Sequence, residues 1–204
     1  MTYTLYHSRF SRSVRVRWLM EEMGVPYELT PVQNNPAFLS SDEYRAINPA
    51  MKIPAFSDGD LTMFESTAIM EYLLAKPEGK KFARGPSDPE FGHYLQWLHF
   101  GEAGMGMYVT LALGHRTMLP EDKRVKAMDI YGTREATKCF GALDVTLSQH
   151  DYLLPSGFSA ADISVVYMLL LAKFAKIWDK VPPAVVAYFD RCTAREAWVK
   201  ASAD

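Results

Sequence analysis

Cysteine is almost absent from this sequence: Cys139 and Cys192 are the only two in 204 residues. They are far apart and neither belongs to a C-x-x-C, which excludes a disulfide framework and makes a reducing compartment the simpler expectation. No apolar run reaches the ~18 residues of a membrane span. The run Ile163 to Ala172 reads as a core helix instead. The N-terminal Tyr3 to Tyr6 leads directly into charged residues without an apolar h-region, so no signal peptide is expected and the cytoplasm is the default location. Neither charge sign is in excess: 22 basic and 24 acidic residues leave a net charge of −2. Nucleic acid and anionic membrane are therefore not expected partners.

Several signatures are missing too. There is no P-loop and no H-E-x-x-H, and the five histidines, at 7, 93, 99, 115 and 150, show no metal-ligand spacing. No metal is expected. Gly101-Glu-Ala-Gly104-Met-Gly106 lacks the order of the dinucleotide fingerprint and follows no strand. Repeats and low-complexity segments are absent.

What is present divides into two halves. The first 76 residues alternate between strand and helix patterns. Tyr3–Tyr6 reads as a strand. Ser11–Met23 reads as a helix with Val14, Trp18, Leu19 and Met23 inward, Arg15, Arg17, Glu21 and Glu22 mostly outward, and Gly24 as its stop. Tyr27–Val32 reads as a second strand, which Pro31 assigns to an edge. A short helix over Ser41–Ile47 ends at Asn48-Pro49. Ile53–Ser57 and Leu61–Phe64 flank Asp58-Gly59, a hairpin signal. Ser66–Ala75 reads as a helix. This order implies a four-stranded mixed sheet of thioredoxin-like arrangement, α/β in class. Residues 77–88, rich in proline and glycine, suit a linker. Residues 89–204 read as an all-helical domain, with helices over Pro89–His115, Glu121–Gln149, Ala160–Ile177, Pro183–Cys192 and Ala194–Ala201.

Four local motifs make a more specific match. They are Ser8-Arg9-Phe10-Ser11-Arg12-Ser13 running into Glu21-Glu22-Met23-Gly24, then Asn48-Pro49-Ala50-Met51-Lys52-Ile53-Pro54-Ala55-Phe56, Phe64-Glu65-Ser66-Thr67, and Gly157-Phe158-Ser159-Ala160-Ala161-Asp162. Their order and spacing, over nearly the whole chain, resemble the cytosolic glutathione transferases of the serine-type, bacterial-like kind. The resemblance implies a thioredoxin-like glutathione-binding domain followed by a helical domain, a homodimer, and glutathione as co-substrate without a metal. The implied reaction is attack of the glutathione thiolate on a small hydrophobic electrophile, a detoxification chemistry. Reduction, isomerisation or dehalogenation at the same site is an alternative, although no cysteine precedes Cys139. A non-catalytic binding module is a reading from another class.

The resemblance also assigns residues. It implies a cis bond before Pro54, with the Ile53 backbone pairing to the glutathione cysteinyl unit like an added strand. Ser66, at a helix start that attracts anions, would bind the γ-glutamyl carboxylate. Glu65 would meet the ammonium, and Lys52 the glycyl carboxylate. A free thiol near pKa ~8.5 is mostly protonated at neutral pH, so the site needs a donor that favours the thiolate. Ser11 is the first choice, with Tyr6, Ser8, Ser13 and Arg12 as alternatives. Capping of the first helix is the competing role for Ser11. Phe10 stands where some serine- or cysteine-type branches carry their active residue. Phe10, Met105 and Tyr108 are candidates for the electrophile pocket, although such apolar residues in a helix are as readily core. Ser159-Ala-Ala-Asp162 matches a capping box ahead of the clearest apolar periodicity, with Phe158 placed to staple onto Ile163.

Overall fold

The computed structural model describes residues 2–203. The chain divides by contact into two compact units: one runs to Lys81 and resumes at Arg195, and the other is Phe82–Ala194.

The first unit is built on β1 (Tyr3–His7), α1 (Ser13–Met23), β2 (Tyr27–Pro31), α2 (Pro36–Leu39), α3 (Asp42–Ile47), β3 (Ala55–Asp58), β4 (Leu61–Phe64) and α4 (Ser66–Leu74). The sheet order is β2-β1-β3-β4. The β1–β2 pair is parallel, while β3 is antiparallel to both β1 and β4. The mixed four-stranded sheet is therefore as expected, with the proline-ended β2 on an edge. The short α2 has no counterpart in the sequence pattern; Asn35 caps it by accepting the Phe38 N–H at 2.9 Å, with Pro36 at the first helical position. Gly24 ends α1 in the left-handed conformation, φ 69°, where a side chain would be strained.

One feature of α1 departs from its amphipathic pattern. Arg15, expected outward, is fully buried together with Val16. The face of α1 that carries Trp18 and Glu22 is covered from the other end of the chain. Helix α10 (Glu196–Ala201) returns to α1, and Trp198 meets Trp18 edge-on with ring centroids 4.8 Å apart. Arg195 forks onto the Glu22 carboxylate at 2.6 and 2.8 Å, and the Trp18 indole N–H donates to the same carboxylate at 3.0 Å. The last helix thus packs with the first unit, whereas the sequence pattern groups it with the other helices.

The second unit contains α5 (Phe91–His99), α6 (Met107–Leu113), α7 (Lys126–Leu147), α8 (Ala160–Phe174) and α9 (Pro183–Thr193). The pattern over Pro89–His115 predicts one helix, but π-helical stretches interrupt it at Phe100–Gly106 and Gly114–Met118. The Ser164 hydroxyl of α8 donates to the Leu98 carbonyl at 2.7 Å, at the point where the ladder changes register. Gly101 makes that approach possible: a Cβ there would lie 2.4 Å from Ser164 Oγ. Helix α8 is the core of this unit, with Ile163, Val166, Tyr167, Leu171 and their neighbours buried. The capping box at its start is formed. Phe158 lies edge-on to Phe82 and Tyr152, at 6.3 and 5.8 Å. Among the described residues, no helix is long and apolar enough to cross a membrane.

Candidate functional site

Strand register collects the site. Tyr6 pairs with Ala55, and Ala55 with Phe64. The end of β1, the start of β3 and the end of β4 therefore lie side by side. Three segments leave the sheet at this one end: the serine loop 8–12, the Lys52-Ile53-Pro54 turn, and Glu65-Ser66 opening α4. Segments far apart in sequence, all singled out by their motifs, converge within the first unit.

The Ile53–Pro54 peptide is cis. Two buried side chains hold the turn. The Tyr44 hydroxyl donates to the Lys52 carbonyl at 2.7 Å. The Asn48 amide donates to the Lys52 carbonyl at 2.7 Å and to that of Pro54 at 3.3 Å, and its oxygen accepts the Ala50 N–H at 3.0 Å. Burial, with Tyr6 nearby, pushes the Tyr44 phenol up to about 12, which keeps it a neutral donor. The Lys52 side chain is exposed and Ile53 half-buried. The backbone here is fixed by these two side chains.

Glu65 occupies the N-cap position of α4 at φ 73°, ψ 105°, and gives no side-chain cap. A non-glycine residue held at positive φ is strained, and such strain clusters at ligand sites. The conformation leaves the first N–H groups of α4 without a cap from Glu65, an arrangement suited to a carboxylate. Ser66 is buried at the first helical position.

The serine loop is a compact hydrogen-bonded unit. Ser11 Oγ lies 2.6 Å from Ser13 Oγ, and Ser13 Oγ lies 2.8 Å from His7 Nδ1. The Ser8 N–H donates to Ser13 Oγ, and the Ser13 N–H to Ser11 Oγ, both at 3.3 Å. Ser13 and His7 are buried, whereas Ser8, Ser11 and Arg12 are half-buried. Arg12, not Ser11, holds the N-cap position of α1, and it makes no side-chain cap. Tyr6 follows the opposite face of β1 from His7, because successive strand residues alternate.

Phe10 is 52% exposed at φ 60°, with the Arg9 guanidinium 4.5 Å from its ring centroid. Met105 is fully buried in the second unit and serves its core; the exposed methionine of that stretch is Met107. Tyr108 is half-buried and stacks edge-on with Tyr131 at 6.0 Å, and that neighbour raises its pKa. Cys139 belongs to the second unit, and burial pushes its thiol up. No group of three or more His, Cys, Asp or Glu residues among those described could hold a metal ion.

Three contributors escape sequence reasoning. Asn48 is marked as a helix stop and as the first residue of the Pro54 motif but not as a brace of the turn, Tyr44 is unmarked, and His7 enters only through metal spacing. The alternation of β1 is a usable signal for His7, since it puts His7 on the same buried face as Leu5. Nothing local marks the roles of Tyr44 and Asn48.

Comparison with known proteins agrees with this geometry. Residues 1–75 match the family model described as glutathione S-transferase, N-terminal domain, and residues 131–191 that of the C-terminal domain. A glutathione S-transferase-like protein, gedE, of Aspergillus terreus is 32% identical over 200 residues, spanning 89% of this chain and 86% of its own. Glutathione S-transferase F10 of Arabidopsis thaliana is 27% identical over 215 residues, covering 100% and 97%. Among solved structures, the glutathione transferase URE2P6 of Phanerochaete chrysosporium, in complex with oxidized glutathione, superposes with a TM-score of 0.86 at 27% identity, over 98% of this chain and 94% of that one. A family member from Pseudomonas fluorescens with two glutathione molecules bound shares the fold at TM-score 0.87 and 24% identity, over 98% and 92%. On the double family-model match and the near full-length similarity to gedE, the chain belongs to the glutathione S-transferase family.

Proposed function

We propose that this protein binds glutathione at the sheet end of its first unit and conjugates the thiolate to a small hydrophobic electrophile. The observation that carries the reading is the convergence, through the Tyr6–Ala55–Phe64 register, of the Lys52-Ile53-Pro54 turn, the strained Glu65-Ser66 start of α4 and the Ser11 hydroxyl. In this reading the Ile53 backbone pairs with the cysteinyl unit. Ser66 and the first N–H groups of α4 take the γ-glutamyl carboxylate, Glu65 its ammonium, and Lys52 the glycyl carboxylate. The oxidized glutathione bound in the URE2P6 structure supports the choice of ligand.

Ser11 donates to the thiolate. A hydroxyl that bonds the charged form better than the neutral one lowers the thiol pKa. A two-unit shift needs about 2.7 kcal/mol, within reach of a charge-assisted hydrogen bond aided by a helix start. The thiolate sulfur then forms a bond to the electrophilic carbon as the leaving group departs with its electron pair. Phe10 and Tyr108 are the remaining candidates for electrophile contact. The reading includes a cytoplasmic homodimer; exposed Met51, Leu61 and Phe64 offer the first unit's apolar share of an interface.

Titration calorimetry with glutathione tests the binding, together with conjugation assays against a panel of aryl and alkyl electrophiles. Micromolar to millimolar affinity is expected, weakened by Ser66→Ala. Absence of binding at ten-millimolar glutathione (roughly tenfold above that range) would overturn the proposal.

A further inference from the structure

We propose that His7 is a positioning residue: it sets the direction of hydrogen bonding through Ser13 and Ser11, so that Ser11 presents its proton outward. This rests on the reading of Ser11 as the thiolate donor.

A serine hydroxyl has one proton and two acceptor sites. Ser13 Oγ accepts the Ser8 N–H, and Ser11 Oγ accepts the Ser13 N–H, both at 3.3 Å. The 2.6 Å contact between the two hydroxyls holds one proton, and the pair alone does not decide which serine supplies it. His7, 2.8 Å from Ser13 Oγ, decides.

With a proton on Nδ1, His7 donates to Ser13. Ser13 is then filled as an acceptor and turns its own proton to Ser11. The Ser11 oxygen is filled from the inside by the hydroxyl and N–H of Ser13, and its proton is free to point to the open side. With Nδ1 bare, Ser13 donates to His7 instead. The proton in the 2.6 Å contact must then come from Ser11, which leaves lone pairs facing the thiolate. The change of proton occupancy at Nδ1 is accompanied by two hydroxyl rotations, and no proton passes between the serines.

The arrangement suits a fixed switch of direction. Ser13 is fully buried and His7 nearly so, which limits replacement by solvent. His7 also sits on a strand, its carbonyl accepting the Val32 N–H at 2.7 Å. Rigid elements hold a donor more accurately than loops do. The competing proton site for Ser13, the Ser8 carbonyl at 3.3 Å, is the longer bond.

Imidazole nitrogen NMR of the wild-type protein with glutathione bound is the direct test. A protonated His7 Nδ1 is expected, and a bare Nδ1 overturns the proposal. Kinetics supply the second arm. His7→Phe and Ser13→Ala should each raise the apparent thiol pKa of bound glutathione by about one unit, a tenfold fall in the thiolate-to-thiol ratio. The glutathione KM should change by less than about twofold. His7→Asn, whose amide can donate from near the Nδ1 position, should recover most of the shift. If Ser11→Ala raises the pKa while His7→Phe and Ser13→Ala do not, the positioning role is wrong and the thiolate reading stands. If Ser11→Ala itself has no effect, the thiolate reading fails. Should His7→Phe not fold, the wild-type NMR result decides.

Discussion

The starts of α8 and α1 both carry serine-centred hydrogen bonds, and they are built to opposite ends. At α8 every group is enclosed. Asp162 accepts the Leu153 N–H at 3.1 Å, the Ser159 N–H at 2.8 Å, the Tyr188 hydroxyl at 3.0 Å and the Ser159 hydroxyl at 3.2 Å. Ser159 also accepts the Ala161 N–H. At α1 the N-cap residue supplies no side-chain cap, and the serines bond to one another and to His7. The last hydroxyl, on Ser11, is only half-buried. A cap completed internally stabilises the fold and has nothing to offer a ligand. An uncapped start with a supported hydroxyl retains donors that a ligand can take. The same residue type near the same helix position is thus enclosed in one case and, in the proposed function, left to serve chemistry in the other, according to whether the protein itself supplies the partners.

The largest test of that distinction is Asp162→Ala. It leaves two backbone N–H groups and the Tyr188 hydroxyl buried without their acceptor. At about 1–3 kcal/mol for each stranded group, a loss of about 4 kcal/mol is expected, or a melting midpoint about 10 °C lower. Glutathione affinity below the transition should be unchanged. A loss under about 1 kcal/mol would put the α8 network on a level with an ordinary cap.

Asp162 also predicts a pH dependence. Burial raises its pKa from 3.8 to about 6 despite the four donors. The folded state therefore holds the proton more tightly than the unfolded chain. Between about pH 4 and 6 the unfolded chain has released it and the folded protein has not, so stability falls as pH rises through this window. The fall is on the order of 3 kcal/mol in total and is complete above the folded pKa. Urea midpoints across that range, for wild type against Asp162→Asn, measure it. The asparagine variant should lack this slope, and equal slopes would remove Asp162 as its source.

Ser11→Ala should show the opposite profile. The apparent thiol pKa of bound glutathione should rise and turnover near neutral pH should fall roughly tenfold or more, as loss of ~1.5–3 kcal/mol predicts. The melting midpoint should fall only slightly, because the Ser13 hydroxyl keeps its His7 and Ser8 partners and only the Ser13 N–H loses its acceptor, beside the half-buried Ser11 position. A destabilised protein with normal turnover would make Ser11 structural like Ser159. The smallest expected difference is between the two serine deletions measured by stability alone. Ser159→Ala should cost ~1 kcal/mol, a typical cap loss, and Ser11→Ala less, because only the Ser13 N–H loses its acceptor. Parallel urea melts would resolve them.

Much of the fold is legible in the amino-acid sequence. Hydrophobic alternation and the Asp58-Gly59 turn locate the strands, and the 3.6-residue period of Ile163, Val166, Tyr167 and Leu170 locates α8. The Ser159/Asp162 box is local in sequence, and it forms as its spacing implies. The Ile-Pro and Glu-Ser motifs mark segments that the sheet register brings to one end. These features depend on neighbouring residues, and local chemistry is written in local sequence.

Other features depend on chain segments meeting at a distance. The interruption of the Pro89–His115 pattern arises where Ser164, far along the chain, bonds the Leu98 carbonyl. The return of α10 onto α1 brings Trp198 against Trp18 from the far end of the chain, and the Arg195–Glu22 fork joins residues 173 positions apart. Asn48 and Tyr44 brace the Lys52–Pro54 turn through contacts that no periodicity encodes. By itself, the sequence determined the strands, most of the helices, the Ser159 cap and which motifs are candidates for chemistry, because propensity, period and capping act over a few residues. Only the tertiary structure decided which polar groups are enclosed and which stay open, because burial and hydrogen-bond partners come from whatever the fold brings alongside.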